Sequence, residues 1–330
     1  MEIYRALEKE LTVPDEFRSI LRRLLSPEES QVLVLITTDF YTPSTIAKKL
    51  GKSNSEEIGS LLETLYQKGI VNRKTIDNEE AYRVKRFYNI ISQHLQEHRY
   101  EELGVENLHA LRQFYKFTRI EKTEKAIKTG RINPSSKVIP IKKAFTASQY
   151  ILPTEQALHF LKETETIALT KCGCRMAFEN CETPVDTCLL LDEEAEYLIS
   201  RGYAKQVTLD EASEVLKIAN EAGLVHLTLY MPGQKIYAVC SCCPCCCHDI
   251  QPLLEYGKND FVAKSDYIAT TDIDLCNGCS ICIERCVFNA RELQNGHSMV
   301  IAEKCYGCGL CVTTCPTHAI QLIIKKHQNT

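Results

Sequence analysis

Apolar positions along the first hundred residues recur at helical spacing. Over 15–25, Phe17, Ile20, Leu21, Leu24 and Leu25 fall three or four apart and lay one apolar stripe along a helix. Ser26-Pro27-Glu28-Glu29 then supplies an N-cap, a first-turn proline and a capping-box glutamate. Val32, Leu33, Leu35 and Ile36 form the inner side of the helix so opened. A short helix is predicted over 43–50, closed by Gly51. A longer one follows over 55–68, capped within 53–55, with Ile58, Leu61, Leu62 and Leu65 inward and Gly69 as its stop. Residues 70–74 and 81–85 read as two strands around a polar Asp77-Asn78 turn. Helices are predicted again over 87–99, through Ile90, Ile91 and Leu95, and over 107–117, through Leu108, Leu111, Phe114 and Tyr115. Asn133-Pro134-Ser135-Ser136 breaks the pattern as a loop, and 137–141 reads as an edge strand because it contains Pro140.

The pattern changes in the second half. A helix over 156–162 leads to a buried strand over 166–170, which runs into Cys172-Gly173-Cys174-Arg175. A helix over 190–200 ends at Gly202. Thr208-Leu209-Asp210-Glu211 is a second capping box, opening a helix that Gly223 terminates. Strands over 224–230 and 235–239 flank Met231-Pro232-Gly233-Gln234 as a hairpin. The second of them delivers Cys240-Ser241-Cys242-Cys243-Pro244-Cys245-Cys246-Cys247.

Composition narrows the class. The 330 residues have room for two or three domains, each with a core. A net charge of −4 argues against general affinity for nucleic acid. The first residues show no basic-then-apolar leader, and no run approaches a membrane span. All eighteen cysteines follow residue 171; with no export signal, they point to a reducing, cytoplasmic setting and to metal or cluster ligands rather than disulfides. No dinucleotide Gly-rich fingerprint, P-loop or nucleophile triad is present, so no nucleotide cofactor and no catalytic residue is assigned. His94, His98 and His109 stand on helical stretches away from the cysteines and read as surface or packing residues.

Two stretches near the C-terminus carry the clearest chemistry. Cys276, Cys279, Cys282 and Cys286 spell C-x2-C-x2-C-x3-C, and Cys305, Cys308, Cys311 and Cys315, followed by Pro316, repeat it. Zinc knuckles also use C-x2-C pairs, but they do not explain a third step repeated twice. The last sixty-five residues or so resemble the bacterial-type 2[4Fe–4S] ferredoxin domain. That resemblance implies one [4Fe–4S] cluster on Cys276, Cys279, Cys282 and Cys315, and a second on Cys305, Cys308, Cys311 and Cys286. Val287 departs from the family, which often has proline there.

Ten further cysteines fall in two groups: Cys172, Cys174, Cys181 and Cys188, then Cys240, Cys242, Cys243, Cys245, Cys246 and Cys247. They read as one site closed by long-range contact, holding one or two further iron–sulfur clusters. Zinc on the first four is the alternative. Adjacent strand side chains oppose each other, so Cys242 and Cys243 cannot serve one metal without a turn, which Pro244 supplies.

Three helices and a two-stranded ribbon make the front of the chain resemble a winged helix. Its presumed recognition helix carries Glu56, Glu57 and Glu63 against Lys68 alone, a poor match to a base-reading helix. The chain as a whole resembles a family of anaerobe 4Fe-4S binding, ferredoxin-type proteins. The resemblance rests on Cys172–Arg175, Thr187–Leu189, Ala222–His226, Cys240–Cys247 and the double motif. It implies an α+β, multidomain chain: a winged-helix-like domain over 1–86, a helical connector over 87–150, a cysteine-rich α+β domain over 151–263 and a ferredoxin domain over 264–330. The expected function is electron transfer with a redox partner protein or oxidoreductase complex, without nucleic acid. The rivals are an iron–sulfur reductase acting at the ten-cysteine domain, and a redox-sensing DNA-binding regulator.

Overall fold

The structure, a computed structural model, describes residues 2–97, 99–104, 107, 110–111, 124–125, 128–129, 136–140, 161–230, 235–256 and 262–325. The helices expected over 107–117 and 156–162, the loop at 133–135 and the turn at 231–234 lie wholly or mostly outside these residues, as do His98 and His109. The chain packs as two units, Met1–Gln113 and Phe114–Thr330.

The first unit runs α1 (Glu2–Glu10), a 3-10 turn (Asp15–Phe17), α2 (Arg18–Leu24), α3 (Pro27–Val34), α4 (Pro43–Lys49), α5 (Ser55–Gln67), β1 (Val71–Ile76), β2 (Glu79–Val84), α6 (Phe87–Gln96) and α7 (Tyr100–Leu103). Phe17, Ile20, Leu21, Leu33, Ile58 and Leu62 are buried, as their spacing requires. At the head of α3 the capping box closes both ways. The Glu29 amide donates to Ser26 Oγ at 3.1 Å, and the Ser26 amide donates to the Glu29 carboxylate at 2.7 Å. That buried carboxylate also meets Lys68 Nζ at 2.6 Å, which ties the end of α5 to the start of α3. Asp77 and Asn78 both adopt left-handed φ, 49° and 64°, as a tight two-residue hairpin demands. Helix α1 was not foreseen, because Leu7 and Leu11 alone give too thin a stripe among charged residues.

The second unit is built on a seven-stranded sheet. Its strands are β3 (Ser136–Ile139), β4 (Ile167–Lys171), β5 (Asp186–Leu191), β6 (Lys205–Gln206), β7 (Val225–Tyr230), β8 (Ile236–Cys242) and β9 (Val262–Ala263). The order is β6-β4-β5-β8-β7-β3-β9, with antiparallel neighbours except β3 and β9. Helices α8 (Gly173–Phe178), α9 (Asp192–Ser200), α10 (Leu209–Glu221) and α11 (Ile250–Tyr256) accompany it.

Two expectations need correcting. The strand at 136–139 is interior, paired on both sides, and Pro140 follows it, so no ladder donor is lost. The helix expected from 190 starts at Asp192, because Thr187–Leu191 form a buried central strand whose apolar run is indistinguishable from a helix face by periodicity.

The C-terminal stretch repeats a small pattern. Strands β10 (Tyr267–Thr271) and β13 (Ile320–Ile324) pair, as do β11 (Arg291–Gln294) and β12 (His297–Val300). Short helices α12 (Ile281–Glu284) and α13 (Leu310–Thr313) sit in the two cysteine motifs. One core joins this stretch to the sheet: Val138, Val225 and Leu227 cluster with Tyr267, Phe288 and Leu322. Arg285 adds a polar tie, donating to the terminal carbonyls of α10 at Asn220 (2.7 Å) and Glu221 (2.6 Å), where a cation suits the helix dipole. Among the described residues, no helix is long and apolar enough to cross a membrane.

His94 in α6 is fully buried, its Nδ1 2.8 Å from the Ile90 carbonyl and its Nε2 without a hydrogen bond. Burial holds its pKa below the ordinary 6.5. Unfolded chains therefore take up more protons than folded ones as pH falls through that value, and stability drops with it. Hydrogen exchange of α6 amides, corrected for intrinsic rate, is expected to be faster at about pH 5.5 than at about pH 7.5. A His94→Phe variant should lose most of that difference.

Candidate metal centres

The two C-terminal motifs fold so that each cavity draws three cysteines from one half and one from the other. The first cavity is lined by Cys276, Cys279, Cys282 and Cys315. The second is lined by Cys305, Cys308, Cys311 and Cys286. The two sets are those the motif resemblance implies, and the donor chemistry, four thiols converging on each cavity, fits a [4Fe–4S] cluster in each.

Glycine makes the tight C-x-G-C turns possible. Gly278 and Gly307 both have φ of 69°, and a Cβ there would run into the carbonyls of Gly296 and Tyr267 respectively. Polar groups meet the sulfurs: Cys282 Sγ donates to Ser298 Oγ at 3.0 Å, and the Ala290 amide donates to Cys286 Sγ at 3.2 Å. Burial pushes the Cys311 thiol up to about 11 although Arg291 works against it. Arg291 is itself buried, held by Thr271 Oγ1 at 3.0 Å and Ser298 Oγ at 3.2 Å. Its charge faces sulfurs of both cavities, Cys311, Cys282 and Cys305, and so offsets thiolate in each. Phe288 stacks on Tyr306 with centroids 4.5 Å apart, an apolar wall for the second cavity.

The ten other cysteines divide into six and four. The β5–β8 register, Leu189 opposite Val239, continues to set Cys188 beside Cys240. Cys172 leaves β4 just past a bulge, and its amide donates to the Val185 carbonyl at 2.7 Å. Cys174 then neighbours Cys172, Cys172 neighbours Cys188, Cys188 neighbours Cys240, Cys240 neighbours Cys242 and Cys242 neighbours Cys247, each thiol bearing on the next one's ionisation. Cys174 and Cys188 beside it hold the Cys172 thiol far below its ordinary range. His248 Nδ1 lies 3.1 Å from Cys174 Sγ at one end of this chain.

The remaining four are Cys181, Cys243, Cys245 and Cys246, whose sulfurs all lie within 4.8 Å of one another. Cys242 and Cys243 thus part company, as strand alternation requires, and the turn follows at Pro244. Cys181 does not join Cys172, Cys174 and Cys188, so the first four cysteines of the domain are not one site. Asn180 Nδ2 donates to the Cys245 carbonyl at 2.8 Å, and Thr183 Oγ1 is 3.1 Å from Cys181 Sγ. Burial pushes the Cys245 thiol up to about 12.

Between the six and the four lies Arg175, 2% exposed. It donates to the Ser241 carbonyl at 2.7 Å and to Thr187 Oγ1. Burial opposes its charge, but Cys172 and Cys188 of one set and Cys243 of the other sustain it. Sequence reasoning saw Arg175 only as part of a motif. Its role, like those of His248 and Arg291, depends on contacts that spacing along the chain does not show.

A family model of the 4Fe-4S dicluster domain matches residues 275–320, the stretch that holds all eight C-terminal cysteines. No curated protein matches the chain, and no solved structure does. The matched domain makes this an iron–sulfur protein, with electron transfer as its class of chemistry.

The glycine argument is open to test. Gly202 shares the left-handed φ, 77°, but has open space around it, so Gly202→Ala isolates a backbone cost of about 1–2 kcal/mol. Gly307→Ala is expected to cost more in thermal unfolding and to lower iron retention, whereas Gly202→Ala leaves iron unchanged.

Proposed function

We propose that the chain is an electron-transfer subunit or soluble partner of an anaerobic oxidoreductase, working in the cytoplasm. In this reading Cys276, Cys279, Cys282 and Cys315 hold one [4Fe–4S] cluster, and Cys305, Cys308, Cys311 and Cys286 hold a second. Such clusters supply one-electron redox chemistry at potentials set by charge, hydrogen bonding and burial. The chain's own part is to ligate, to screen with Phe288 and Tyr306, and to lend positive charge through Arg291. The observation that carries the reading is the exchange of one cysteine between the two cavities.

The six-sulfur set of Cys172, Cys174, Cys188, Cys240, Cys242 and Cys247 is read as the seat of one further iron–sulfur cluster. Six sulfurs exceed the four a cubane takes, and this surplus favours a second reading, an iron–sulfur reductase acting at that set.

The first unit is read as a winged helix used for protein contact. Arg73 in its ribbon is already met by Glu63 at 2.8 Å and Glu80 at 3.1 Å. Lys74 and Arg83 lie over the Phe40 ring. Its two carboxylate partners leave Arg73 little charge to offer phosphates.

Iron and sulfide analysis of anaerobically purified protein tests the assignment. About twelve irons per chain are expected, about eight of them from the C-terminal pair. Cys308→Ser should lower only the C-terminal share, and a Cys188→Ser, Cys240→Ser double variant only the remainder. Iron content unchanged by Cys308→Ser would defeat the ligand assignment. Reoxidation of the dithionite-reduced protein by a partner protein, read by loss of the reduced-cluster electron paramagnetic signal, tests the carrier role.

A further inference from the structure

We propose that Cys181, Cys243, Cys245 and Cys246 hold a single tetrahedral zinc ion, a structural clamp distinct from the iron–sulfur sites. The spacing of the sulfurs is the first ground. Cys181 stands 3.7 Å from Cys243 and 3.9 Å from Cys246, and Cys245 stands 3.9 Å from Cys246. Four sulfurs about 2.3 Å from one zinc ion form a tetrahedron with edges of about 3.8 Å.

A cubane places four metal atoms and four sulfides inside its thiolates, which must stand farther apart. The protein supplies its own yardstick. Among the described residues, no three of the eight C-terminal cysteines have sulfurs mutually within the 4.8 Å that encloses this quartet. The same chain therefore builds two kinds of cysteine site, one wide and one tight.

The local fold explains the tight one. Strand β8 ends at Cys242, and the turn at Pro244 closes with the Cys247 amide donating to the Cys243 carbonyl at 3.3 Å. One helical-type turn brings Cys243 and Cys246, three apart, to the same side. Cys181 arrives from beyond α8, its loop fixed by the Asn180 bond to the Cys245 carbonyl. Cys243 and Cys246 are buried against Ala219 and Leu224.

Charge is the second ground. A divalent ion with four thiolates carries a net charge of about −2, which is costly in an apolar surround unless offset. The buried Arg175 charge is sustained in part by Cys243, and Thr183 Oγ1 stands 3.1 Å from Cys181 Sγ. Four protein ligands leave no open position, which marks a structural rather than a catalytic site. The ion would join the loop at 181 to the turn at 243–246. Those are the two segments that also carry Cys172, Cys174, Cys240, Cys242 and Cys247, so the clamp holds the six-sulfur set in register.

The test is metal analysis and zinc-edge X-ray absorption on the full chain, purified anaerobically from cells supplied with both iron and zinc. One zinc per chain is expected, with four sulfur neighbours at about 2.3 Å and no iron shell. Cys245→Ser and Cys181→Ser should each lose the zinc and keep the C-terminal iron. Should both variants fail to fold, the wild-type spectrum decides alone. Absence of zinc, nitrogen or oxygen neighbours dominating its spectrum, or loss of about four irons with unchanged zinc in the variants would overturn the proposal. Zinc absent with C-terminal iron intact defeats the zinc site alone, whereas zinc present with that iron absent defeats the electron-transfer reading alone.

Discussion

A strand side chain must point opposite to its neighbour, and the second unit depends on where β8 stops obeying that rule. Through Cys240 and Cys242 the strand aims alternate sulfurs at Cys188 and Cys247. One residue later the strand has ended, and Cys243 turns to Cys181 instead. A run of cysteines that looks redundant in one dimension is therefore two interleaved half-sites, sorted by backbone geometry alone. Arg175 lies where they meet and answers the negative charge of both. A buried guanidinium is tolerable only among such partners, and the thiolates are tolerable only near such a cation.

Local signals along the chain proved readable wherever a single turn of backbone decides the outcome. The capping boxes at Ser26 and Thr208 close as written, because both partners lie within one helical turn. In each C-terminal cavity three cysteines lie within seven residues and converge locally, while the fourth, from the other half, was legible only through the ferredoxin resemblance. What escaped required knowledge of strand neighbours. Thr187–Leu191 could be strand or helix until β4 and β8 were seen on either side of it. The division of the ten cysteines follows from the order β4-β5-β8, which no spacing rule encodes. Helix α1 was missed because its apolar stripe is thin, and Glu8, a buried acid paired with Arg22 at 2.9 Å and Arg18 at 3.5 Å, looks like a solvent residue in sequence.

The shared core shows why the metal centres belong to one folded body. Val225 and Leu227 on β7 cluster with Tyr267 and Phe288, so the sheet and the C-terminal motifs bury each other's apolar faces. Arg285, one residue before Cys286, reaches the end of α10. Displacing either partner would expose apolar surface and strand a cation, and the cysteines near the contact would lose their fixed positions.

The strand order also sets a timetable. Ribosomes deliver the chain from its N-terminus, yet the tight quartet joins residue 181 to residues 243–246. The six-sulfur set likewise waits for 240–247 before 172–188 can be satisfied. In the proposed assignment, sulfurs made early would wait over dozens of further peptide bonds for their partners, whereas three cysteines of each C-terminal motif lie within seven residues. On that assignment, the middle-domain sites would depend most on a reducing environment and on delivery of metal during synthesis.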